Sequence, residues 1–75
     1  MYAYLLASFN PGTERDAFED ISQMEEIKEI NLLFGEWDII AKVEVENPGE
    51  LELVVMDKIR KIPGIKLTST MIVAK

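Results

Sequence analysis

The chain has no cysteine and no histidine. Without cysteine there is no disulfide and no thiol chemistry. Without histidine, Ser8, Ser22 and Ser69 have no neighbouring base of the usual kind to activate them. No cluster of acids has metal-ligand spacing, so no cofactor or metal is expected. No apolar run reaches the ~18 residues of a membrane span, so no membrane partner is expected. The opening "MYAYLLASF" has neither a basic n-region nor a small-residue cleavage site, so a cytoplasmic protein without a signal peptide is expected. Basic residues are scarce: eight Lys and Arg face fourteen Asp and Glu, a net charge of −6. That field repels phosphate backbones, so no direct nucleic-acid contact is expected. The one basic concentration, "KIRKI" from Lys58, reads as a helix end, where positive charge complements the dipole.

What is present is apolar. Such residues make up 48% of the chain, which excludes a disordered polymer. Seventy-five residues bound the chain to one domain, residues 1–75. A domain this small buries only ~60% of its unfolded surface, so self-association helps it.

"NPG" occurs at Asn10–Gly12 and again at Asn47–Gly49, each time before an amphipathic stretch and then a β-like run. "MEEIKEIN" and "IPGIKLTS" align in the same sense, giving two weakly similar strand–helix–strand units. The first strand is Tyr2 to Phe9. A helix follows from about Thr13 to Met24, with Thr13 and Asp16 resembling a capping box and Ala17, Phe18, Ile21 and Met24 forming its apolar stripe. The second strand is about Ile27 to Phe34. The third, Trp37 to Glu46, alternates with period two and buries Trp37, Ile39, Ala41, Val43 and Val45. Only Gly35 and Glu36 separate these two strands, which fits a type II′ hairpin turn.

The second helix starts at Asn47 as N-cap with Pro48 at N1, and turns Leu51, Val54, Val55, Ile59 and Ile62 inward. Leu53 and Met56 fall off that stripe. Pro63 and Gly64 stop it. The fourth strand, Ile65 to about Ala74, alternates Ile65, Leu67, Ser69, Met71 and Val73 against Lys66, Thr68, Thr70 and Ile72.

The order βαββαβ predicts an α+β, ferredoxin-like fold: a four-stranded antiparallel sheet with two helices on one face. The other face is expected to carry Ile40 and Ile72, with Asp38, Thr68 and Thr70 among them. That mix is too sticky for water alone. A homodimer, by sheet-on-sheet packing or edge pairing, follows as an expectation, with a higher oligomer of dimers beyond it.

"NPG" after the first strand, "MEEIKEI", "GEWD", "KIPGI" and "TSTMIV" stand in the order of a known family. The chain resembles the ligand-binding (RAM) domain of the Lrp/AsnC, or feast/famine, transcription regulators. The resemblance covers essentially all 75 residues. It implies a non-enzymatic module that senses amino acids and assembles as dimers and rings of dimers, with effectors at contacts between dimers. It departs from the family in starting at the first strand, with no helix-turn-helix, and in carrying Phe34 where a small polar residue is usual. A stand-alone effector-binding module is expected, working with itself or with a full-length Lrp/AsnC-type regulator.

In the family the Gly-x-x-Asp hairpin and the threonine-rich part of the last strand line the effector site. That implies Gly35, Glu36, Trp37 and Asp38 with Thr68, Ser69 and Thr70. The chemistry suits a free amino acid. Asp38 can hold an ammonium, backbone N–H groups around Gly35 can meet a carboxylate, and Leu33, Phe34, Trp37 and Met71 can wall an apolar or branched side chain. Each residue also has a plain structural reading. Gly35 turns the chain, Trp37 is a core aromatic, Thr68 and Thr70 are good β-formers, and Asp38 forms an ion pair with Lys42 or Lys66 across a dimer. The alternatives to a sensor are a ligand-independent assembly partner or a small ferredoxin-like enzyme using Tyr2 or Tyr4.

Overall fold

The computed structural model describes all 75 residues. Its elements are β1 (Tyr2–Phe9), α1 (Glu14–Ser22), β2 (Ile27–Leu32), β3 (Ile39–Glu44), α2 (Pro48–Leu53, continuing as a π-helical segment Val54–Ile59) and β4 (Ile65–Ile72). The strands form one antiparallel sheet in the order β2-β3-β1-β4. This is the ferredoxin-like arrangement. Ala3, Leu5, Ala7 and Phe9 of β1 and Ile39, Ala41 and Val43 of β3 point to one face. Ala17 and Ile21 of α1 and Leu51, Val54 and Ile59 of the second helix share their core.

The two "NPG" stretches do different work. Asn47 caps α2, its Oδ1 accepting from the Glu50 N–H at 2.8 Å, and Pro48 is the first helical residue. Gly12 instead turns with φ +89° ahead of α1. There Thr13 makes no side-chain cap. Its hydroxyl donates to the Asn10 carbonyl at 2.7 Å, so the expected capping box is not formed.

The second helix buries Leu51, Val54 and Ile59, and the turn after it buries Ile62. The five-residue step from Val54 to Ile59 is not an α-helical interval, which would bring Lys58 inward. The π turn, with Arg60 N–H donating to Val55 O at 2.9 Å, absorbs the extra residue. Ile59 then faces the core and Lys58 swings out to Glu26, Nζ to Oε2 at 2.7 Å.

Two expectations about the sheet need correction. First, β4 presents the opposite faces. Ala7 pairs with Thr68, Leu5 with Thr70 and Ala3 with Ile72, so these three lie on the helix side. Leu67, Ser69 and Met71 lie on the open side, paired with Ser8, Leu6 and Tyr4. The cause is a bulge: the register shifts between Ser8 and Phe9, so that Ser8 pairs with Leu67 but Phe9 with Ile65. One extra residue inverts every side chain beyond it. Second, β2 and β3 are not joined by a two-residue turn. Leu33 N–H donates to Asp38 O at 2.8 Å, and Phe34 to Trp37 form a wider loop. Trp37 is half-buried within that loop and is absent from the core.

The open face therefore carries Tyr4, Leu6, Ile40, Leu67, Ser69 and Met71 across β3, β1 and β4. Leu67 is 58% and Met71 48% exposed. Lys42 also lies here, its Nζ 4.4 Å from the centre of the Tyr2 ring.

Candidate functional site

Asp38 is the best-anchored polar residue at the sheet's upper end. Its N–H donates to Ala7 O at 2.9 Å and its carbonyl accepts from Leu33. Its Oδ2 accepts from the Phe9 N–H at 2.7 Å. This last bond supplies the Phe9 N–H, which faces the β3 side of β1 one step beyond the last paired residues Ala7 and Ile39, with the partner a half-buried donor needs. Asp38 makes no ion pair within the chain, and the expected pairing with Lys42 or Lys66 is one between two copies. Oδ1 accepts no hydrogen bond from the chain.

Above Asp38 the loop is open. Gly35 has φ +142°, and a Cβ there would meet nothing within 4 Å. The N–H groups of Phe34, Gly35, Glu36 and Trp37 find no acceptor in the chain. Phe34 is fully exposed, and Leu32 and Leu33 beside it are exposed as well. The loop thus offers donors and apolar surface next to one carboxylate oxygen.

The seven predicted residues fall into two groups. Gly35, Glu36, Trp37 and Asp38 stand together at the loop. Thr68, Ser69 and Thr70 lie on β4, with β1 between them and β3. Two strand spacings amount to about 10 Å. Ser69 shares the open face, whereas Thr68 and Thr70 point to the helix side, where Thr70 borders a shallow groove with Met56 and Ile72. One chain does not converge them into a single pocket.

Sequence reasoning missed Ser8. Its Oγ is buried without a hydrogen-bond partner. It sits on β1 one residue before the Phe9 N–H that Asp38 binds. No pattern in the sequence marks it; only the strand register does.

Elsewhere the clearest electrostatic feature is Glu26 with Lys58. The Lys58 hydrogen bond holds the Glu26 carboxyl below the usual carboxylate range, aided by a backbone hydrogen bond. The same bond raises Lys58 above the usual amine range. No group of three or more acids could hold a metal ion. No helix is long and apolar enough to cross a membrane.

Comparison with known proteins decides the family. The family model described as the Lrp/AsnC ligand binding domain matches residues 3–75. The chain belongs to this family. An uncharacterized HTH-type transcriptional regulator of Pyrococcus horikoshii is 36% identical over 73 residues, covering 93% of this chain and 49% of the relative. The chain thus spans about half the length of the curated relative it matches. Relatives of this family are transcription regulators, not enzymes. The crystal structure of FFRP-DM1 superposes with a TM-score of 0.92 at 40% identity, covering 96% of both chains. A Neisseria meningitidis transcriptional regulator, NMB0573, solved as an L-Met complex, shares the fold with a TM-score of 0.85 at 20% identity, over 99% of this chain and 49% of that one.

Proposed function

We propose that this Lrp/AsnC ligand-binding domain, residues 1–75, is an amino-acid-sensing and assembly module that acts on transcription in the cytoplasm. It works through oligomers with itself or with a full-length Lrp/AsnC-type regulator. It does not contact nucleic acid itself, in keeping with its net charge of −6. One observation carries this reading. Asp38 keeps Oδ1 unengaged beneath a loop whose backbone N–H groups are also unengaged. An ammonium, a carboxylate and an apolar side chain can each find a partner there. The site is completed by a second copy, because β1 separates the loop from Thr68, Ser69 and Thr70. A bound methionine in a relative of the same fold supports an apolar amino acid as the ligand. The half-apolar open face supports a sheet-on-sheet homodimer and further assembly of dimers.

Calorimetry with a panel of free amino acids tests this. The expected result is heat for an apolar or branched-chain member, lost in Asp38→Ala. No heat for any of them overturns the ligand claim. A second reading, a ligand-independent assembly partner, is favoured by one fact: Asp38 Oδ2 already serves the fold through Phe9. Light scattering with and without amino acid separates the two, since a plain assembly partner changes size only on meeting a full-length regulator.

A further inference from the structure

Charge is segregated along this chain. All fourteen acids precede Lys58, while five of the eight bases lie at or beyond it. The fold gathers part of this basic stretch in one place. Between the end of the second helix and the start of β4 lies a groove of about 290 Å3, lined by Arg60, Ile65, Lys66, Leu67 and Thr68. Neither of its cations has an acidic partner, in a chain with a large excess of acid. Arg60 reaches Met56 Sδ at 3.3 Å, and the single ion pair of the chain is Lys58 with Glu26.

The end of the helix accounts for Arg60, since positive charge there complements the dipole. It does not account for Lys66, which belongs to a strand. Lys66 is the residue that the bulge leaves unpaired: Ser8 pairs with Leu67 and Phe9 with Ile65. Bulges re-aim side chains, and this one sets Lys66 in the same groove as Arg60. Two like charges that share a groove repel, and an anion between them reverses the sign of the interaction. We propose that the Arg60–Lys66 groove is a binding site for a small organic dianion, separate from the amino-acid site at the Asp38 loop. The guanidinium fork takes two oxygens of one anionic group. The Lys66 ammonium adds a point charge and Thr68 a hydroxyl. Ile65 and Leu67 line the same groove with apolar surface for a short carbon chain. The volume lies at the lower end of the range for ligand sites, which selects a small molecule. A phosphate monoester and a short dicarboxylate share this chemistry. The site does not depend on the amino-acid reading, because β1 and β3 stand between it and the Asp38 loop.

Titration with glycerol 3-phosphate and, in parallel, with succinate tests the site, at constant ionic strength and with amide chemical shifts as the readout. Saturable shifts centred on Arg60 and Lys66 to Thr68 are expected for at least one of the two. The tighter of them assigns the source of the dianion. Arg60→Gln and Lys66→Gln are each expected to weaken binding ~10-fold or more, the loss of a charge-assisted hydrogen bond. Lys61→Gln removes a neighbouring base that does not line the groove, and is expected to leave binding within about twofold. No saturable shift with either compound at ~10 mM overturns the proposal. So does an equal loss in Lys61→Gln, which would mark a diffuse positive field in place of a site. Both outcomes leave the amino-acid reading intact, since that reading stands on Asp38.

Discussion

The carboxylate of Asp38 accepts the backbone N–H of Phe9, 29 residues earlier in the chain, at 2.7 Å. One side chain thereby stitches the start of β3 to the bulged end of β1. The same residue is the leading candidate for holding an ammonium. In the proposed function its structural and binding duties fall to different oxygens.

Replacing Asp38 therefore has two separable effects. Asp38→Ala is expected to destabilise the fold by about 1–3 kcal/mol, because the Phe9 N–H loses its acceptor in a partly buried setting. Asp38→Asn keeps a neutral acceptor and is expected to lose less than half of that, while still abolishing ammonium binding. Thermal unfolding followed beside calorimetry distinguishes the two.

Gly64 joins the loops at the upper end. It has φ +95°, its carbonyl accepts from Asn10 N–H at 2.7 Å, and a Cβ there would overlap the Thr13 side chain. Gly12, with φ +89°, would meet nothing. Gly12→Ala is expected to cost roughly 1 kcal/mol from backbone strain alone. Gly64→Ala is expected to cost about 2 kcal/mol or more, since Thr13 must also move. Parallel denaturant titrations check the order of the two.

The π segment makes a prediction about chain length. Deleting exposed Met56 shortens the step between Val54 and Ile59 to a regular α-helical interval while keeping both inside. That variant is expected to stay folded, with far-UV dichroism close to wild type. Deleting Asp20 from α1 rotates Ile21, fully buried, off the core, and is expected to cost about 2–5 kcal/mol, as for losing a large core side chain.

The Glu26–Lys58 pair sets a pH signature. Glu26 titrates lower in the folded chain than in the unfolded one, so its contribution is complete above the ordinary carboxylate range and is lost as pH falls through the lowered value. Lys58 is raised, so its contribution is complete below the ordinary amine range and is lost as pH rises through the raised value. Lys58→Met is expected to flatten the acid limb of the stability curve below about pH 4. Chemical denaturation at stepped pH values measures it.

Much of the fold was legible because the relevant signals are local. Alternation of Ile39, Ala41, Val43 and Val45 marks β3, and Asn47 with Pro48 marks the start of α2. Even the π turn is written in the five-residue step from Val54 to Ile59, although a helical wheel smooths it away. The faces of β4 were not legible. They depend on a bulge created where β1 meets the start of β4, more than fifty positions apart in the chain. The loop after β2 was misread for a related reason: Gly35 and Glu36 fit a tight turn, but Asp38 is held by β1 and holds the loop open. The candidate site was legible in its parts, and their separation by a strand was not.

The sheet order also governs when the molecule can take shape. The strand made first, β1, lies inside the sheet, and its partners are β3 and the very late β4, with Ala3 meeting Ile72. As the chain leaves the ribosome, one side of this apolar strand can pair with β3, but the other must wait until β4 has been synthesised. Such distant closures slow folding. A nascent chain of this kind is exposed to aggregation during that wait.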